Sequence, residues 1–160
     1  MFLFVFVGTL CSQNIDESIP KFCEKIIALG NKETIKNDLL SRKFTLLSTS
    51  EMANLGIVNN DPKYIIVCGV GRFNIMCKVI LYSQGGVASV TVYGVTYLGT
   101  QYVFDEFKKA GYEYYGKDGK SSTYIKSTDK YIYVGFLDVI VQKDGLINTT
   151  IDIGRRPNKK

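Results

Sequence analysis

Between residues 32 and 154 the chain passes twice through one order of patterns: a helical stretch, then four short β-rich runs. Few architectures accommodate such an order, because a helix and the strands after it must bury their apolar sides together. In the first pass the helical stretch is residues 32–42, with Ile35, Leu39 and Leu40 turned inward. The β-rich runs are 44–49, 63–70, 73–83 and 87–95. In the second pass residues 101–110 carry Val103, Phe104 and Phe107 on one helical face, and Gly111 is the stop. Runs at 112–117, 122–126, 130–142 and 146–153 follow.

The two passes can be laid on each other. Ile35, Leu39 and Phe44 match Val103, Phe107 and Tyr112 at identical spacing, and Tyr64-Ile65 matches Tyr124-Ile125. The run from Gly86 to Val92 matches the run from Gly145 to Ile151 without a gap. Most of the length difference lies in residues 51–62, whose Asn, Asp and Pro content reads as a loop. Gly85-Gly86 and Asp144-Gly145 are hairpin turn signals.

A further helix precedes both passes. Residues 15–29 space Ile15, Ile19, Phe22, Cys23, Ile26 and Ile27 along one face, with Gly30 beyond the end. The expectation is a single α+β domain over residues 13–154, with internal repeats at about 32–95 and 100–154. Two tandem helix-plus-four-strand antiparallel units would form one sheet, with helices on one face and an extra N-terminal helix. The other face would stay open. Both fourth strands alternate accordingly: Ala88, Val90 and Val92 with Ser89, Thr91 and Tyr93, then Ile147, Ile151 and Ile153 with Asn148, Thr150 and Asp152.

This layout resembles that of secreted β-lactamase-inhibitor-type proteins, in which helix-plus-four-strand repeats build a concave sheet that grips another protein. The resemblance is architectural and covers about residues 32–154 by pattern. It implies a protein-gripping role and carries over no residue and no target.

Composition narrows the chemistry. The 160 residues contain no histidine, which removes Ser-His-Asp and Cys-His catalysis and histidine-dependent metal sites. No catalytic residue is therefore assigned, and an enzyme is not expected. The net charge of +5 is spread along both halves, with its densest stretch in a basic tail at 155–160. Residues 1–12 (MFLFVFVGTLCS) are too short an apolar run to span a bilayer and resemble a signal peptide, with cleavage after Ser12. A lipid anchor at Cys11 is disfavoured by Leu10 before it. The expected location is secreted, periplasmic or cell-envelope, without a transmembrane segment.

The cysteines that would remain are Cys23, Cys68 and Cys77. If Val70 and Ile75 close a four-residue turn, Cys68 falls directly opposite Cys77, within the reach of a disulfide. Two buried thiols are the alternative. Three cysteines without histidine or a CxxC spacing make a poor zinc set, so neither a metal nor a cofactor is expected. Gly69-Val70-Gly71 lacks the third glycine of a dinucleotide loop. Lys43, Lys63 and Lys120 have no spacing that would make one of them a base for a serine.

Tyrosine is the distinctive residue, at eleven with no tryptophan. It combines contact area with a polar tip at low entropic cost, which suits recognition surfaces. Tyr82, Tyr93, Tyr114, Tyr131 and Tyr133, flanked by Lys126 and Lys130, are the candidate partner-binding residues on the open face. Glu113, Asp118 and Asp129 interrupt the Lys/Tyr mixture, and no nucleic-acid partner is expected. The function expected is a non-enzymatic module gripping a protein, of inhibitor, immunity or envelope-complex type. The alternative is a small molecule, lipid or glycan held in a groove between sheet and helices.

Overall fold

The computed structural model describes residues 15–158; the signal-like segment, Cys11 and Lys159-Lys160 lie outside the described residues. The fold is α+β, with four α-helices and one eight-stranded antiparallel sheet. In chain order it runs α1 (Ile19–Leu29), α2 (Lys32–Ser41), β1 (Thr45–Leu46), α3 (Thr49–Asn54), β2 (Tyr64–Val70), β3 (Met76–Tyr82) and β4 (Val87–Tyr97). The second half follows as α4 (Thr100–Lys109), β5 (Glu113–Asp118), β6 (Ser121–Ser127), β7 (Tyr131–Val141) and β8 (Ile147–Pro157). The spatial order of strands is β1-β2-β3-β4-β8-β7-β6-β5, so the two halves meet along β4 and β8.

Local chemistry explains most boundaries. Helix α1 begins at Ile19 rather than Ile15 because Pro20 sits in its first turn, where a missing N–H is tolerated, and Gly30 ends it at φ 72°. Asn31 caps α2 by accepting the Thr34 N–H at 2.9 Å. Arg42 then ties α2 to the chain ahead of α1. Its Nε donates to Asp38 at 2.7 Å, its guanidinium reaches Glu17 at 3.2 Å, and it lies 5.0 Å over the Phe22 ring.

One cluster of buried side chains holds the layers together. Phe22, Ile26 and Ile27 of α1, Ile35 and Leu39 of α2, and Val103 and Phe107 of α4 belong to it. So do Val67, Cys77, Val79, Val90, Val92, Leu137, Ile151 and Ile153 from the strands. Those strand positions define the core side of the sheet, and the alternating positions define its far side.

Three expectations need correction. Residues 51–62 are not all loop, because α3 begins at Thr49 behind a capping box between Ser48 and Glu51. Strand β1 is accordingly cut to Thr45–Leu46. The anticipated basic tail is strand as far as Pro157, with Arg155 and Arg156 paired to Tyr133 and Ile132. Finally, Cys68 pairs with Lys78 and Cys77 with Gly69, so the two thiols point to opposite sides of the sheet and both are free. The β2–β3 turn runs one residue longer than the four-residue version: the Gly71 N–H donates to the Ile75 carbonyl at 2.8 Å, and Phe73 and Asn74 turn left-handed within it. One residue of slip reverses every face.

Burial pushes the Cys68 thiol up to about 11 and raises Cys77 and Cys23 as well. An unfolded thiol loses its proton near pH ~8.5 while native Cys68 retains it. Its contribution to stability is therefore complete below that point and fades as pH rises toward about 11. Under reducing conditions the urea midpoint should fall between neutral pH and about pH 10.5, and Cys68→Ala should flatten that decline. A pH profile identical in the variant would show that the thiol stays accessible to water.

Candidate functional site

Two surfaces concentrate unsatisfied chemistry, one on each side of the sheet. The far side takes its character from register. Along it β7 places Ile132, Val134, Phe136, Asp138 and Ile140, each opposite a β8 residue: Arg156, Gly154, Asp152, Thr150 and Asn148. Across β6 the partners of Phe136 and Val134 are Thr123 and Ile125. Phe136 is 44% exposed and Ile140 is 68% exposed.

Polar pairs border this apolar strip and are already satisfied. The Thr91 hydroxyl donates to Asp152 Oδ1 at 2.6 Å, and the Ser121 hydroxyl donates to Asp138. Lys78 Nζ lies 5.4 Å from the Tyr93 ring centre. Toward β2, the segment after α3 approaches the same side, where Val58 and Asn59 join Tyr64, Ile66, Ile80, Ala88 and Ser89 around a hollow of about 330 Å³. The accessible far side is therefore the half built by β4, β8, β7 and β6.

The second surface is a groove of about 700 Å³ between α4 and the β5–β6 edge. Tyr124 forms its floor, stacked on the buried Phe107 ring at 4.3 Å. Phe104 flanks that floor at 6.5 Å between ring centres, and Tyr114 meets it edge-on at 5.7 Å. Lys108, Lys117, Glu113 and Ser122 also line it, with Ser122 on β6 opposite Lys117 of β5. Burial pushes the Tyr124 phenol up to about 12, so the floor stays neutral at ordinary pH.

The residues expected to act together divide between these places. Tyr82 and Tyr93 pair with Tyr64 and Thr150 on the far side, and Tyr82 is 47% exposed. Tyr114, Lys126, Tyr131 and Tyr133 alternate to the core side instead. Tyr114 is the groove wall. Lys126 is a structural cation: its Nζ sits 2.9 Å from both Glu24 oxygens on α1 and 5.6 Å from the Tyr112 ring. Tyr133 packs on the core cluster, and Tyr131 lies under the Arg155 guanidinium at 4.1 Å. Lys130 is exposed in the turn before β7.

Sequence reasoning missed Phe136, Ile140, Phe104 and Lys108. A usable signal for the first two existed, because residues 131–141 (YIYVGFLDVIV) are apolar at both sets of alternate positions. Such a strand is expected where both sides are covered. Among the described residues no cluster of three or more His, Cys, Asp or Glu side chains is placed to hold a metal ion. No described helix is long and apolar enough to cross a membrane. Comparison with protein-family models, curated proteins and solved structures finds no match to this chain.

Proposed function

We propose that the chain is an exported, non-enzymatic binding module that holds a protein partner against the far side of β4, β8, β7 and β6. The observation that carries the reading is strand β7, largely apolar toward both sides, which among the described residues leaves Phe136 and Ile140 exposed on the far side. Leu137 is fully buried there, and its neighbour Phe136 projects to water. An antiparallel strand with one wet side ordinarily alternates with polar residues. The surroundings fit a mixed interface, with Ile132, Val134, Phe136 and Ile140 along β7 and the charges of Asp138, Asp152 and Arg156 beside them.

Size supports the same reading. Strands β4, β8 and β7 each have 11 residues. With the 7 residues of β6, at ~3.3 Å per residue and ~4.8 Å between strands, the four-strand surface measures roughly 630 Å². One partner of a standard interface contributes about 800 Å².

The two-unit reading, with α1, α2 and α4 over the core side and the β4–β8–β7–β6 part of the other side left open, rests on repeated detail. At the end of α2 the Phe44 N–H donates to Leu39 O at 3.0 Å, and at the end of α4 the Tyr112 N–H donates to Phe107 O at 3.0 Å. The residue before each donor, Lys43 or Gly111, is left-handed at φ 63° or 87°. Ile35, Leu39 and Phe44 are buried like their counterparts Val103, Phe107 and Tyr112. The absence of histidine and the export-type leader supply the remaining elements of the reading.

A photoreactive benzoylphenylalanine at position 136 should give one crosslinked product with a different protein in the producing cell, whereas the same group at Tyr115 should give none. Phe136→Asp should weaken that complex by at least about 2 kcal/mol, the scale of an interface anchor, and leave the Tm nearly unchanged. Crosslinks only between copies of this chain, or equal yields at both positions, would overturn the reading.

A further inference from the structure

We infer that the groove between α4 and β5–β6 is a second binding site, for a small aromatic anion. It lies on the other side of the sheet from the proposed protein interface and shares no residue with it. Its volume, about 700 Å³, falls within the range of small-molecule sites. Its walls are rings whose faces are not all consumed by the core. Tyr124 gives one face to Phe107, while Phe104 and Tyr114 flank it and remain 37% and 60% exposed. A flat ring entering between them gains offset-stacked and edge-to-face contacts.

Charge selects the ligand's other end. Lys108 closes the last turn of α4, and Lys117 projects from β5 on the groove side, in register with Ser122. Neither has an acidic partner within 4.0 Å among the described residues. Glu113 also reaches the rim, but it pairs with Ile125, one step out of phase with Tyr114, so its position belongs to the far side. Two ammonium groups and a serine hydroxyl lining a trough walled by rings suit an arene carrying a carboxylate or sulfonate. Guidance by the lysines would weaken as salt rises.

Two probes of nearly equal shape separate charge from apolar area: anilinonaphthalene sulfonate, which is anionic, and N-phenylnaphthylamine, which is neutral. Titrated by fluorescence into the full chain, the anion should bind more tightly than the neutral probe by about tenfold, near 1.4 kcal/mol. Lys108→Glu with Lys117→Glu should abolish that preference and leave the neutral probe within about twofold. Phe104→Ala with Tyr114→Ala should weaken both probes, while Phe136→Asp changes neither. Because all four groove substitutions are at exposed positions, the Tm should hold. Equal affinity for the two probes, an unaltered preference in the lysine double variant, or loss of signal in Phe136→Asp would each overturn the site. Failure here leaves the far-side complex untouched, and failure of that complex leaves this titration unaltered.

Discussion

Replacing Glu106 with alanine should destabilise the protein by about 3 kcal/mol, a large share of a domain's net stability. The residue is on α4, but its carboxylate acts elsewhere. Oε2 accepts the Ile19 N–H at 3.1 Å, at the start of α1, and the Tyr97 hydroxyl at 3.0 Å, at the end of β4. Ser18, the N-cap residue of α1, makes no capping bond with its own side chain, so a residue 87 positions away does so. The negative charge also meets the positive end of the α1 dipole. Both donors belong to buried residues, since Ile19 is 2% and Tyr97 0% exposed. Alanine removes the acceptor of the Ile19 N–H, at about 1–3 kcal/mol for a buried donor, together with the bond to the Tyr97 hydroxyl. Tyr97→Phe removes donor and need together and should cost only about 1 kcal/mol. The double variant should then lose less than the sum of the two, a coupling readable from urea midpoints. A loss below about 0.5 kcal/mol for Glu106→Ala would mean that water caps α1 equally well.

The order of elements was legible because each rests on a local signal. Apolar spacing located α1, α2 and α4, and the glycines at 30 and 111 stopped two of them where a left-handed residue is needed. Alternation in β4 and β8 identified their core sides, which Val90, Val92, Ile151 and Ile153 occupy. What failed depends on counting residues across irregularities. Cys68 was set opposite Cys77 by a turn one residue too short. Tyr114 pairs with Tyr124 and Tyr124 with Gly135, a register across three strands that puts Tyr114, Tyr131 and Tyr133 on the core side and that no local pattern announces. Strand β7 was harder still, since a run apolar on both sets of alternate positions, broken only by Gly135 and Asp138, has no clear phase to read. Lys126 reads as a surface charge in sequence and becomes a tie to Glu24 only once α1 crosses the sheet. Helix α3 was the avoidable miss, since Ser48 and Glu51 already spell a capping box.

Gly135→Val should be at least as damaging as the loss of Glu106, at about 3 kcal/mol, by the opposite mechanism of overfilling. Gly135 sits in the middle of β7, paired with Tyr124 and Ile153, where a strand former would be expected. A Cβ there would lie 2.9 Å from Phe107 Cε1, closer than such atoms approach. The ring cannot retreat. Tyr124 is stacked against it at 4.3 Å, and Tyr112 abuts it edge-on at 5.5 Å. Phe107 itself is fully buried. Glycine is thus the space into which the α4 ring fits, and valine must push helix and sheet apart. Gly116→Ala is the matched control. No atom lies within 4 Å of a Cβ there and its φ is ordinary, so its effect should stay within about 0.5 kcal/mol. Gly135→Ala, which adds that Cβ alone, should also lose stability, and trimming Phe107 to leucine should recover part of the loss, because the one contact tighter than ordinary is with that ring. The same displacement would tilt Tyr124, the groove floor, so Gly135→Ala should also weaken anilinonaphthalene sulfonate binding at temperatures where the variant is still folded. A variant with full stability and full probe binding would show that the three rings slide freely, and the groove would then lack the fixed walls its selectivity needs.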